Sequence, residues 1–194
     1  MYEWEKFLDN CIREIAKESI VLDIGSGHPF KKEMEKYKGL FENPNCSYYS
    51  VDLCNAYGPN IIGNIHSLPF QSESVDAIIC KAVLEHVPEP TIAINELYRV
   101  LRRGGKLFVY LPFLFPYHGN EFYKDYYRFT KDAVEYMFRK FETIRPVPVR
   151  GYCGVINLFI PFTPKTSAVA HFLDRFISRK FPTVTSGWNV FAVK

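Results

Sequence analysis

The run Val21-Leu22-Asp23-Ile24-Gly25-Ser26-Gly27 constrains this chain more than any other stretch. It reads as a buried β-strand ending in an acid and two glycines spaced by one residue. Glycines at a strand end permit positive φ and let the backbone pass close to a small ligand. Parallel sheets bind ligands beyond the carboxyl ends of their strands, so residues 23–27 are the first candidate site. A dinucleotide-binding G-x-G-x-x-G would put its third glycine at position 30, where Phe30 stands.

Strands and helices alternate around this run. Trp4, Phe7, Leu8, Cys11, Ile12 and Ile15 recur at helical spacing, predicting an amphipathic helix over 2–18 before a strand at 19–24. A short helix over 30–38 follows, with Pro29 in its first turn. Further strands are predicted at 47–51, 61–62, 75–80 and 106–111, with a helix over 90–102 and Gly104 just past its end. Thr130 is an N-cap candidate for a helix over 131–140, and strands at 141–149 and 188–193 complete the set. Between those two strands, 151–182 is apolar and interrupted by prolines, with one helical stretch near 167–180. Alternation of this kind predicts an α/β fold with a mostly parallel sheet and right-handed crossovers.

At 194 residues, with 47% hydrophobic and 23% charged residues, the chain suits one folded domain over 1–194. The net charge of +3 is dispersed, so Lys31-Lys32 and Arg102-Arg103 read as solvated faces and no nucleic-acid partner is expected. Five cysteines, an odd number without a C-x-x-C pair, point to a reduced, cytoplasmic setting, and no metal site is expected. The amino terminus lacks a secretory layout, and no run approaches the roughly 20 apolar residues that span a bilayer. The apolar run at 155–162 is broken by Asn157 and Pro161, which leaves peripheral membrane contact open.

The D-x-G-x-G of Asp23, Gly25 and Gly27 resembles motif I of the Rossmann-like (class I) S-adenosylmethionine (SAM)-dependent methyltransferases, and four blocks follow in that family's order. Tyr49-Ser50-Val51-Asp52-Leu53 ends a second strand in an acid. Gly63-Asn64-Ile65-His66-Ser67-Leu68-Pro69-Phe70 resembles G-D-x-x-x-L-P-F, with Asn64 in the place of the acid. The run from Asp76 to Val87 ends in Leu-Glu-His-Val, and Leu101-Arg102-Arg103-Gly104-Gly105 matches the block before strand five. The resemblance is to the small, single-domain ubiquinone/menaquinone-biosynthesis-like type. It implies a three-layer fold with a seven-stranded, mostly parallel sheet and helices on both faces. SAM is then the cofactor and S-adenosylhomocysteine the product. Asp23, Gly25, Ser26 and Gly27 would take its amino-acid end, Asp52 its ribose hydroxyls, and Leu53, Asn64 and Ile65 its adenine. The backbone at Cys80 and Lys81 would flank the methionine part, with His86 nearby.

The segment after strand five, 112–130, is rich in aromatic and ionisable residues and faces the expected methyl group. His118 is the candidate base and Asp125 its orienter or a second base. Tyr117, Tyr126, Tyr127 and Arg128 would shape the acceptor pocket, Arg128 by holding an anionic group. The alternative is that Asp125 and Arg128 pair to pin the loop. The expected activity is methyl transfer to oxygen or nitrogen of a small molecule, by a monomer or homodimer. The stretch 151–182 is first read as a lid, with subunit pairing and lipid contact as alternatives. The rival reading is a non-catalytic SAM-binding sensor or scaffold, favoured by Pro29 and Asn64.

Overall fold

A computed structural model describes residues 2–160, 168–177, 180–181 and 183–194. Seven strands form one sheet: β1 (Ile20–Ile24), β2 (Ser47–Asp52), β3 (Ile61–Ile62), β4 (Val75–Lys81), β5 (Leu101–Pro112), β6 (Thr143–Val149) and β7 (Gly187–Val193). Their order is β3-β2-β1-β4-β5-β7-β6, with β7 antiparallel to both of its neighbours and every other pairing parallel. This is the three-layer, mostly parallel Rossmann-like sheet that the sequence predicts. The order reverses between β1 and β4, where open α/β sheets form their ligand crevice.

Strand alternation builds a separate core on each face. Leu22, Ile24, Ile78, Cys80, Leu107, Val109, Val190 and Ala192 face one way and pack with Ala93, Ile94 and Leu97 of α3 (Pro90–Val100). Val21, Ala77, Ile79, Phe108 and Phe191 face the other way and meet Phe7, Leu8, Cys11, Ile12 and Ile15 of α1 (Glu3–Ile15). A central strand covered on both faces must be apolar at every position, which is why 75–80 shows no alternation in sequence.

Several elements differ from the sequence reading. Residues Lys32–Tyr37 form a 3-10 turn rather than an α-helix, followed by the four-residue α2 (Lys38–Phe41). α3 stops at Val100, and Gly104 lies inside β5 with φ +73°. There it belongs to a bulge, because Val75 pairs with Leu101 while Ala77 pairs with Lys106. α4 (Lys131–Met137) starts at the predicted cap, with Ala133 N–H donating to Thr130 Oγ1 at 3.2 Å.

The 151–182 stretch carries two described helices, α5 (Tyr152–Phe159) and α6 (Ala168–Ile177). Asp174 of α6 accepts from the backbone N–H groups of Gly151, Cys153 and Gly154, capping the start of α5 from outside its own sequence. A cap borrowed from a distant residue leaves no local signal, so α5 is invisible in sequence. No helix among the described residues is long and apolar enough to cross a membrane.

Gly187, where β7 begins, has no room for a side chain: an added Cβ would lie 2.4 Å from the carbonyl oxygen of Leu111. Backbone cannot yield as a flexible side chain can. Gly187→Ala is expected to cost about 2 kcal/mol or more, measured as a shift in denaturant midpoint at unchanged slope.

Candidate active site

One cavity of about 960 Å³ opens at the carboxyl ends of β1, β2 and β4. It is lined at one end by the glycine turn and Asp52, and at the other by His86, His118, Phe122 and Tyr123. Its size lies near the top of the range for ligand pockets, roughly 300–1,000 Å³.

The glycine turn is built by exclusion. Gly25 sits at φ +66° and an added Cβ would lie 2.4 Å from Val83 Cγ2, so the turn packs directly against the segment after β4. Gly27, at φ +54°, has nothing within 4 Å of its virtual Cβ. Its N–H donates to Asp52 Oδ2 at 2.9 Å, and Cys54 N–H donates to Asp52 Oδ1 at 2.9 Å. One carboxylate therefore ties the tip of β2 to the turn after β1. Each of its oxygens keeps lone-pair capacity for a ligand hydroxyl.

Asp23 is 8% exposed and accepts from Tyr48 Oη–H at 2.5 Å. Burial pushes its pKa up to about 6, against the opposing pull of the Tyr48 hydroxyl and the Lys81 charge. A buried carboxylate held at a cost in its charged form is ready to receive a cationic group. Lys81 itself pairs with Glu33. Ser26 Oγ lines the same end, buried and without a hydrogen-bond partner.

Asn64 and Ile65 line the cavity, and Leu53 lies on its rim, 69% exposed. The Asn64 amide oxygen is occupied locally, accepting from His66 N–H at 3.0 Å and lying 2.9 Å from His66 Nδ1. An amide oxygen can only accept, so Nδ1 carries the proton and Nε2 presents a lone pair. That Nε2 is buried without a partner, on a residue of the cavity wall. Sequence reasoning missed His66; the pairing with Asn64 two residues earlier was its available signal. The Cys80 side chain turns into the core, where burial raises its thiol pKa well above the usual value, while Lys81 faces the cavity.

The loop after β5 is held by a knot of ionic and hydrogen bonds. Arg128 donates to both oxygens of Asp125 at 2.6 and 2.7 Å, and to the carbonyls of Phe115, Pro116 and Tyr127. Those five bonds account for all five guanidinium N–H groups, so the sequence's pinning alternative describes Arg128 and none is left over for an anionic acceptor. Asp125 also accepts from His118 N–H at 2.8 Å, and Arg128 holds its carboxyl well below the usual range. Asp125 thus holds the His118 backbone and is unsuited to taking up a proton near neutrality. Tyr117 and Tyr126 are exposed and Tyr127 donates to the Pro88 carbonyl; none of the three lines the cavity.

His118 Nδ1 lies 3.1 Å from the Pro116 carbonyl oxygen, and its Nε2 lies 3.5 Å from Glu85 Oε1. The Glu85 carboxylate raises the pKa of His118, with burial opposing. Glu85 is fully buried, and the sequence reading passed over it. Phe122 and Tyr123 complete this wall, with Tyr123 against His86 at 4.3 Å and Phe122 against Tyr57 at 5.8 Å between ring centroids. None of the described residues of 151–182 lines the cavity.

Residues 22–109 match the family model of the methyltransferase domain. An uncharacterized methyltransferase of Mycobacterium sp. (strain JLS) is 35% identical over 108 residues, which cover 52% of this chain and 42% of that protein. A ubiquinone biosynthesis O-methyltransferase of Xanthomonas oryzae pv. oryzae is 51% identical over 39 residues, 20% of this chain and 16% of that one. The chain thus spans less than half the length of these relatives. Among solved structures, a SAM dependent methyltransferase from Archaeoglobus fulgidus superposes with a TM-score of 0.64 at 12% identity, covering 98% of this chain and 93% of that one. Phosphoethanolamine N-methyltransferase 2 of Haemonchus contortus, in complex with S-adenosyl-L-methionine, gives 0.60 at 18% identity over 98% and 52% of the two chains. At these identities the likeness is one of fold. Residues 22–109 thus resemble a methyltransferase domain, and the fold is the one seen in solved SAM-dependent methyltransferases. The residues present fit SAM: an orphaned hydroxyl at Ser26, an orphaned acceptor at His66, and open space at Gly27 all face one cavity.

Because the folded-state pKa of Asp23 lies above its ordinary 3.8, its burial weakens the fold as pH rises through about 6 and costs nothing below about 4. Asp23→Asn should therefore raise the thermal stability of the ligand-free protein at pH 7.5 by about 1–3 kcal/mol. The gain should vanish near pH 4, while SAM affinity at pH 7.5 falls at least ten-fold by calorimetry. A mutant less stable than wild type at pH 7.5 contradicts the assignment.

Proposed function

We propose that this chain is an enzyme that moves a methyl group from SAM to oxygen or nitrogen of a small-molecule acceptor. The observation that carries the reading is the continuity of the cavity between the nucleotide-sized cleft at Asp52 and the ionisable wall at His118. A module that only bound the cofactor would have no use for that second half. Bound SAM supplies an electrophilic methyl carbon on a sulfonium. The protein's task is then alignment and exclusion of water.

On the cofactor side, Asp23 and Ser26 would receive the amino-acid end and Asp52 the ribose hydroxyls. At the adenine, His66 Nε2 would accept from the exocyclic amine, with Asn64 fixing its tautomer and Ile65 and Leu53 flanking the ring. This pairing stands in for the acid that position 64 lacks. On the acceptor side, His118 would touch the reacting group and Asp125 would act as its positioning residue through the His118 backbone. Phe122, Tyr123 and Tyr57 would set the pocket's width. The acceptor class is limited by that apolar rim to compact molecules, and we place the domain as a single unit over 1–194.

The test is transfer of labelled methyl from SAM into metabolites of a cell extract, followed by identification of the product. His118→Ala should lower turnover at least 100-fold with SAM affinity within about three-fold of wild type. Stoichiometric SAM binding with no labelled product from any extract would favour the binding module instead. For the adenine contact, His66→Phe should weaken SAM about ten-fold, the worth of one buried hydrogen bond, without changing kcat.

A further inference from the structure

The cavity's far wall contains an electrostatic imbalance. Glu85 is fully buried, and neither carboxylate oxygen has a hydrogen-bond partner. Arg128 gives its hydrogen bonds to Asp125 and to backbone carbonyls, and none to Glu85. A buried carboxylate without a hydrogen-bond partner is costly, and a cation placed against it offsets that cost.

Two imidazoles face this carboxylate, and their outer nitrogens fix what they offer. His86 Nδ1 lies 2.6 Å from the Lys124 carbonyl oxygen, and His118 Nδ1 lies 3.1 Å from that of Pro116. Carbonyls only accept, so both Nδ1 atoms are donors. In the neutral rings both Nε2 atoms then present lone pairs, at 3.8 and 3.5 Å from Glu85 Oε1. Three acceptors thus converge, their ligand atoms all within 4.8 Å of one another. Backbone carbonyls orienting histidines through Nδ1 are the usual outer shell of metal-ligating imidazoles. Ligands about 2.0–2.1 Å from a tetrahedral ion stand roughly 3.3 Å apart, close to the two Glu85–His spacings.

We propose that Glu85, His86 and His118 form a divalent transition-metal site on the acceptor wall of the cavity. The donor set, two imidazoles and one carboxylate, suits Zn²⁺ and its neighbours rather than Mg²⁺ or Ca²⁺. His86 and His118 line the cavity while Glu85 closes the site from the protein interior, so the remaining coordination positions open toward the acceptor. Local spacing gives no sign of this set in the sequence, because His118 stands 32 residues beyond His86.

One consequence rests on the methyl-transfer reading. An acceptor hydroxyl bound at the open position becomes more acidic and loses its proton to solvent. Its oxygen lone pair forms the new C–O bond, and the C–S electron pair returns to sulfur. His118 then acts as a ligand, and oxygen is favoured over nitrogen as the methylated atom.

The experiment is calorimetric titration of chelator-treated full-length protein with Zn²⁺ alone, paired with Co²⁺ titration followed by visible absorption. One ion per chain at micromolar or tighter Kd is expected, with Co²⁺ bands of a low-symmetry site. Glu85→Gln and His86→Gln should each weaken Zn²⁺ at least 30-fold while SAM still binds within about three-fold of wild type. Folded, SAM-binding wild type that takes up no Zn²⁺ at 1 mM overturns the proposal, as does Glu85→Gln binding Zn²⁺ like wild type. Zn²⁺ bound at these residues without any SAM binding would leave the site standing and remove the methyltransferase reading.

Discussion

The hydrogen bond from Gly27 N–H to Asp52 Oδ2 joins two strands where they would otherwise diverge. β1 and β2 run parallel and in register, and Gly25 N–H also donates to the Val51 carbonyl at 2.7 Å. Parallel neighbours share no turn, so their ends need side chains or loops to stay together. Here the carboxylate that ties the strands also lines the cavity. The glycine turn takes its two positive-φ positions with this acid holding the Gly27 amide and Val83 backing Gly25.

The fold was legible because each strand has an environment that its composition reports. β4 is covered on both faces and reads as unbroken apolar sequence, while β6, at the sheet edge, tolerates Pro146 and Pro148. The bulge at Gly104 was misread as a helix cap because both uses ask for the same conformational freedom at the same point in the chain. α5 stayed hidden because its cap comes from Asp174, some twenty residues later. At the site, residues next to the glycine motif were readable, since backbone geometry and sequence spacing coincide there. Glu85 and His66 were not. Their meaning arises from partners brought in by the fold, or from which ring nitrogen is left without one.

The acceptor loop shows how a polar cluster can be structural and still serve chemistry. Arg128 gathers three carbonyls and a carboxylate, satisfying backbone groups that an irregular loop would leave exposed or unpaired. Trp188 Nε1–H adds a tie to the Phe129 carbonyl at 3.0 Å, linking the loop's end to β7. His118 is then fixed from two sides, by Asp125 and Pro116. Such rigidity positions a reacting group without requiring closure of a lid.

That knot lies at the base of the loop, away from its tip. Phe122 and Tyr123 reach the cavity from a stretch held at Asn120, whose side chain accepts from both of their N–H groups. Side-chain identity at these two positions can drift without loosening the frame beneath. Changes at these two aromatic residues can therefore reshape the far end of the cavity while the glycine turn stays as it is.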